Sequence, residues 1–235
     1  MQIVSLSFFR FDAPLSRLWA LAMMGAGRID MARIPGIGFW KLCGSGTGEG
    51  FTPVPNTTVY AILATWPDAQ TAKDRIAGTR LFQRYRHRAD EHWTLYLTPI
   101  SARGAWSART PFDPQDDPRT GPIAALTRAT IRPRTALSFW GRVPDISEVI
   151  GTDPNVLFKI GIGEVPLMHQ ITFSIWPDSG SMAQFARRDG PHARAIQAVR
   201  SGDWFREELY ARFRLHSEEG AWDGLSPRIL KDTAA

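Results

Sequence analysis

The sequence predicts an α+β chain. Two tandem ferredoxin-like β-α-β-β-α-β repeats pack sheet to sheet as a single-chain form of the dimeric α/β barrel. Three observations predict it. First, segments recur in the same order. Leu63-Ala64-Thr65-Trp66-Pro67-Asp68 returns as Phe173-Ser174-Ile175-Trp176-Pro177-Asp178 after 110 positions, Phe39-Trp40-Lys41-Leu42 as Leu157-Phe158-Lys159-Ile160 after 118, and Gly104-Ala105-Trp106 as Gly220-Ala221-Trp222 after 116. Second, each half runs through the same succession of period-two and helical patterns. Third, a stretch rich in Pro and Asp, 107–121, separates the halves. The drift in offset places 8 extra residues in the first half around the glycine run 44–50, and 6 in the second half between Asp178 and Gly220.

In the first half, residues 2–11 alternate as a strand. Residues 13–24 read as a helix with Leu15, Leu18, Trp19 and Ala22 on its core face. Strands are predicted over 38–43 and 57–66, a helical region over 69–91 with a break at Gly78, and a last strand over 92–97. The second half repeats the order: strand 122–131, helix 135–150 interrupted near Pro144, strands 156–161 and 168–176, helical pieces over 181–208, and a closing strand 209–216. Trp-Pro-Asp marks both strand-to-helix junctions, because Pro ends the ladder and Asp caps the helix. The chain therefore divides into a first repeat 1–106, a linker 107–121, a second repeat 122–224 and a tail 225–235. Between the two sheets this architecture is expected to leave an apolar cavity.

Composition narrows the class. Of 235 residues 43% are hydrophobic and 22% charged, which rules out disorder as a whole. No apolar run is long enough to cross a bilayer, and the N-terminus alternates like a strand without a charged leader. A single cysteine, Cys43, excludes an internal disulfide, a C-x-x-C-H haem attachment and a thiolate zinc cage. A cytoplasmic location follows as the expectation. The net charge is +5, with 24 Arg against 4 Lys, spread as +3 over 1–118 and +2 over 119–235. No basic arm for nucleic acid is present. The excess suits loose attraction to an anionic membrane surface, which makes peripheral membrane contact an expectation. Nine tryptophans fit either a bulky apolar ligand or ordinary core filling.

Four blocks carry a family resemblance: Gly38-Phe39-Trp40-Lys41-Leu42-Cys43-Gly44-Ser45-Gly46-Thr47-Gly48-Glu49-Gly50-Phe51-Thr52-Pro53, Ala124-Ala125-Leu126-Thr127-Arg128-Ala129-Thr130-Ile131, Phe158-Lys159-Ile160-Gly161-Ile162-Gly163-Glu164-Val165-Pro166, and Gly202-Asp203-Trp204-Phe205-Arg206-Glu207-Glu208-Leu209-Tyr210-Ala211-Arg212-Phe213. Together they resemble spheroidene monooxygenase, the acyclic carotenoid 2-ketolase family of purple photosynthetic bacteria. The resemblance implies O₂-dependent conversion of the C2 methylene of spheroidene, or of a related acyclic carotenoid, to a ketone. It also implies a haem b cofactor and electrons from a reduced ferredoxin. The architecture alone also admits a haem enzyme of dehydratase or peroxidase type, a cofactor-free oxygenase, or a non-enzymatic carrier.

If haem is the redox centre, an axial ligand must come from the chain. His192 is the first candidate. Gly190-Pro191-His192 reads as a helix start, where the dipole keeps imidazole neutral. His192, Ala195, Ile196 and Val199 form one stripe, within residues that the first half lacks. The plain alternative is a core or capping histidine. His169 starts a strand on the face of Ile171, Phe173 and Ile175, expected to pack on helices. His216 shares a face with Arg212 and Arg214, which suits solvent or propionates. His87 lies between arginines, and His92 opens a strand. Cys43 is a thiolate candidate or a small buried hydrophobe. Arg128 alternates with Leu126 and Thr130, which suits a cavity-facing partner for a propionate as well as a solvent-side arginine. Lys41 and Lys159 are repeat equivalents. The glycine run 44–50 reads as a lid, a propionate cradle or a mobile loop. Glu207 and Glu208 read as a solvated helix face.

Overall fold

The computed structural model describes residues 1–47, 52, 54–141, 155–187, 204–226 and 228–230. In the first half β1 (Ile3–Arg10) is followed by α1 (Pro14–Ala32), β2 (Trp40–Gly46), β3 (Pro55–Trp66), α2 (Ala69–Gly78), α3 (Arg80–Arg88) and β4 (Glu91–Gly104). In the second half β5 (Ile123–Ile131) leads through a 3-10 turn, Pro133–Thr135, into the short α4 (Ala136–Trp140). Then come β6 (Phe158–Gly163), β7 (His169–Trp176), α5 (Ser179–Arg187) and β8 (Phe205–Gly220).

All eight strands close into one antiparallel barrel in the order β1-β3-β2-β6-β7-β5-β8-β4. Each half contributes the split β-α-β arrangement, with its first strand central. The halves join along two seams. One is long, β4 with β8; the other is short, Gly44 with Gly163 and Ser45 with Ile162 between β2 and β6. Trp66 and Trp176 end equivalent strands. Asp68 accepts from Thr71 N at 2.7 Å, and Asp178 from Ser181 N at 2.8 Å, so both capping readings hold. The helical region 69–91 is broken, as expected, just after Gly78.

Alternation along each strand sends one row of side chains inward. The expected apolar cavity between the sheets is instead packed: Phe8, Trp93, Phe158 and Phe173 meet at ring separations of 4.9 to 6.5 Å, within a core that also holds Trp106 and Trp222. Much of the tryptophan content is thus core filling. A second core lies outside the first half, where α1, α2 and α3 cover Phe9, Tyr60, Ile62, Ala64 and Trp66.

Two sequence expectations fail here. The core face of α1 is Ala20, Met23, Gly27 and Met31, while Leu15, Leu18 and Ala22 point outward and Trp19 sits at the edge. Small residues win because they let the helix approach the sheet. A Cβ on Gly27 would stand 3.2 Å from Met23 Cε and 3.4 Å from Leu42 Cδ1. In addition, 205–208 is strand rather than helix, because β8 must run far enough to pair with Thr130 and Ala129 of β5 as well as with β4. Residues 142–154 and 188–203, the latter with His192, lie outside the described residues.

Candidate functional site

Internal duplication extends to side chains at the barrel ends. At one end Arg10 pairs with Glu91 at 2.5 Å, and Glu91 accepts from the amides of Asp223 and Gly224 at 3.2 and 2.8 Å. At the other, Arg128 pairs with Glu207, which accepts from the amides of Ser107 and Ala108 at 2.9 and 2.7 Å. Each arginine also lies over a tryptophan: Arg10 4.4 Å from the Trp222 centroid, Arg128 5.7 Å from that of Trp106. A glycine makes each turn possible. Gly104 has φ +98° and a Cβ there would meet Glu208 O at 2.1 Å; Gly220 has φ +90° and would meet His92 O at 2.2 Å.

The two ends then diverge. Next to Arg128, Glu164 from the end of β6 fills the space. Its carboxylate takes Lys41 Nζ at 2.6 Å and Trp106 Nε1 at 2.6 Å, while Lys41 Nζ also donates to Ser107 Oγ at 2.7 Å. His169 Nδ1 stands 3.7 Å from Glu164 Oε1, beyond hydrogen-bond length, and is buried without a partner. Burial alone would raise the Glu164 pKa, but the Lys41 and Trp106 contacts, with the His169 ring close by, outweigh it and hold the carboxyl down at about 2. For Glu207, too, burial is overcome by the Ala108 and Ser107 amides and by Arg128. At the Arg10 end, Gly46 and Val59 occupy the repeat positions of Glu164 and His169. A cleft of about 420 Å³ opens there, lined by Arg10, Gly46, Val59, Lys159, Trp222 and Arg228.

Two further recesses matter. An apolar cleft of about 210 Å³ lies between α1 and the β6–β7 turn, with Met24, Tyr60, Trp140, Leu167 and His169 on its walls. A groove of about 410 Å³ lies on the outer face of the second half, beneath α5. Its floor is small, with Ala125, Thr127, Thr172 and Ser174; Trp176, Met182 and Phe185 wall it; Arg103 and Arg212 line it as well. Both guanidinium residues are exposed. The size is that of an ordinary ligand site. Small floor residues beside two cations suit a flat apolar group that carries carboxylates.

Residues singled out in the sequence fall as follows. Arg128 is inside the barrel, 2% exposed, and engaged with Glu207. His169 is also on the inner face: Ile171, Phe173 and Ile175 point into the barrel, not toward helices as expected. Cys43 is fully buried in the same core, and burial pushes its thiol pKa far up, so the thiol stays protonated. His216 and His87 are exposed. His92 is half-buried, and burial draws its imidazole pKa down. Lys41 belongs to the Glu164 cluster, while Lys159 lines the open cleft. Of the glycine run, Gly44 and Gly46 belong to β2; Gly48 and Gly50 lie outside the described residues. His192 does too. Among the described residues no three His, Cys, Asp or Glu converge as a metal-binding group. Sequence reasoning missed Glu164 and Arg103, read Glu207 as part of a solvated helix face, and placed Arg212 only on the face of His216, as a solvent or propionate contact. The signal for Glu207 was present, since it stands 116 positions after Glu91, the offset of the Gly-Ala-Trp repeat.

No family model matches the chain. It is 51% identical over 231 residues to the spheroidene monooxygenase of Cereibacter sphaeroides, covering 97% of this chain and 71% of that protein. It is 50% identical over 234 residues to that of Rhodobacter capsulatus, covering 98% and 97%, and 36% identical over 212 residues to that of Rubrivivax gelatinosus, covering 90% and 82%. Among solved structures, an aldoxime dehydratase in complex with butyraldoxime superposes with a TM-score of 0.61 at 8% identity, covering 91% of this chain and 79% of that one. A second aldoxime dehydratase gives 0.57 at 9% identity, covering 91% and 81%. At such identities the likeness is one of fold alone.

Proposed function

Since the chain belongs to the spheroidene monooxygenase family, we propose that it oxidises the C2 methylene of spheroidene to the ketone of spheroidenone. The observation that carries this is identity of about half the residues along nearly the whole chain with two relatives of that name. Each of two hydroxylations takes one O₂, two electrons and two protons and releases one water; the resulting geminal diol loses a further water to leave the ketone. Reduced ferredoxin is the proposed electron donor. The oxidised carbon lies near the end of a long polyene. A recess of a few hundred Å³ therefore suffices for the reacting end, with the remainder outside.

Side chains do not activate O₂ for such a step; haem b, implied by the family resemblance, would supply that chemistry when bound. The groove under α5 fits its periphery. Ala125, Thr127, Thr172 and Ser174 leave a flat floor, and Arg103 and Arg212 would hold the two propionates. His192, in the segment that follows α5, is the proposed iron ligand. Arg128 faces the opposite side of β5, so in this reading it braces the barrel end rather than holding a propionate.

The test is turnover of spheroidene by the purified chain with O₂ and reduced ferredoxin. Labelled O₂ should place its label in the ketone, with exchange against water controlled. Product formed anaerobically at the aerobic rate would overturn the oxygenase reading and favour a dehydratase.

A further inference from the structure

The outward side of α1 carries no polar side chain from Leu15 to Ile29. At 3.6 residues per turn, Leu15, Leu18, Leu21, Ala22, Gly25 and Ile29 share the side opposite the buried stripe of Ala20, Met23, Gly27 and Met31. All six are exposed, Leu15 by 81% and Leu18 by 65%. The helix is thus apolar on both sides, a pattern that calls for burial on both. Among the described residues nothing covers the outer side. No described helix is long and apolar enough to cross a membrane, so this one could only lie along a surface.

Charge around the face indicates what covers it. Arg17 and Arg28 run along one edge. Along the other, Arg84 and Arg88 of α3 lie 5.6 and 4.7 Å from the Trp19 centroid. Asp30 is the only acidic residue of α1 and stands 3.8 Å from Arg84. A second copy docked through this face would bring the arginine rows together with only Asp30 of each helix to meet them. Anionic headgroups meet them directly, while the arginine stems extend the apolar surface. The face is also continuous with the apolar cleft, because Leu21 and Met24 line it together with Val165 and Leu167. Those last two are themselves exposed.

We propose that the outward face of α1 is a docking surface for an anionic lipid bilayer, with its leucines in the acyl boundary and the flanking arginines among the headgroups. The proposal stands on this helix and its surroundings, not on the oxygenase reading, and its test needs no turnover.

The experiment is flotation of the full chain with vesicles of phosphatidylcholine alone or in equal mixture with phosphatidylglycerol, at low and high salt. The chain should float with the mixed vesicles and lose much of that binding at high salt or on phosphatidylcholine alone. The variant carrying Leu15→Glu and Leu18→Glu should keep its circular dichroism spectrum, since both positions are exposed, and bind roughly tenfold or more weakly. Gly25→Leu separates lipid from protein. A Cβ at Gly25 meets nothing within 4 Å, so added apolar surface should strengthen vesicle binding several-fold, whereas it would obstruct close helix pairing. Absence of flotation of the native chain would overturn the proposal. So would vesicle binding that the glutamates leave unchanged, or a dimer in solution that Gly25→Leu disrupts while vesicle binding does not respond.

Discussion

Replacing Glu164 by Gln removes one charge from the buried cluster with almost no change of shape. Amide oxygen can still accept from Trp106, but Lys41 loses its carboxylate and keeps Ser107 and the faces of Phe39 and Trp106. The drop of the Glu164 pKa from 4.5 to about 2 is worth about 3 kcal/mol at roughly 1.4 kcal/mol per pH unit. The carboxylate is partly accessible, so screening reduces this to about 2 kcal/mol. A carboxyl whose pKa is depressed on folding stabilises the fold above its unfolded value and loses that effect as pH falls toward its folded value. Urea denaturation of both proteins followed by tryptophan fluorescence should therefore show a gap of about 2 kcal/mol at pH 7. The gap should begin to close below the unfolded value of 4.5 and fall to about half by pH 3. A gap that stays constant across this range would mean that Gln disturbs packing and that the ion pair with Lys41 is not its source. No gap at pH 7 would refute the cluster's role in stability.

Gly104→Ala should destabilise by about 3 kcal/mol, from positive φ and the clash with Glu208 O, whereas Gly78→Ala should stay within about 1 kcal/mol; chemical denaturation reads both. Arg103→Glu with Arg212→Glu should weaken haem binding roughly tenfold or more in a titration followed at the Soret band, with the fold intact by circular dichroism. His192→Ala should abolish or shift the Soret band and stop ketone formation, while His169→Ala keeps most of its haem; the reverse pattern would move the iron ligand to the inner face of β7.

Order and type of the elements were legible because duplication wrote them twice. Trp-Pro-Asp, the β2 and β6 blocks and Gly-Ala-Trp mark the same positions in both halves. Alpha-helix orientation was not legible in α1, where Leu15/Leu18/Ala22 and Ala20/Met23/Gly27 are both apolar stripes. Periodicity cannot choose between two such stripes; close approach to the sheet chose the smaller one. Side-chain direction failed again at β7, since period two fixes which residues share a face but not which face looks inward. Glu207 and Glu208 imitate a helix surface in sequence, and only pairing of β8 with two neighbours shows them as strand. The Glu164 cluster gathers Lys41, the adjacent Trp106 and Ser107, and His169 from three separate parts of the chain, which no local pattern could assemble.

The long seam between β4 and β8 also governs how the chain reaches its final state. Trp93 pairs with Gly220 and Gly104 with Leu209, partners more than a hundred positions apart. Contacts of such range form slowly, because loop entropy is lost before pairing returns anything. Within each half the strands pair with nearer neighbours, so each half can take shape before closure. During synthesis the first half emerges with β4 bare along one side, and it waits for translation of the whole second half before β8 arrives. An unpaired strand of this length invites other chains in the meantime. Yield in the cell therefore depends on how that edge is shielded while the ribosome is still working, separately from how stable the closed barrel is afterwards.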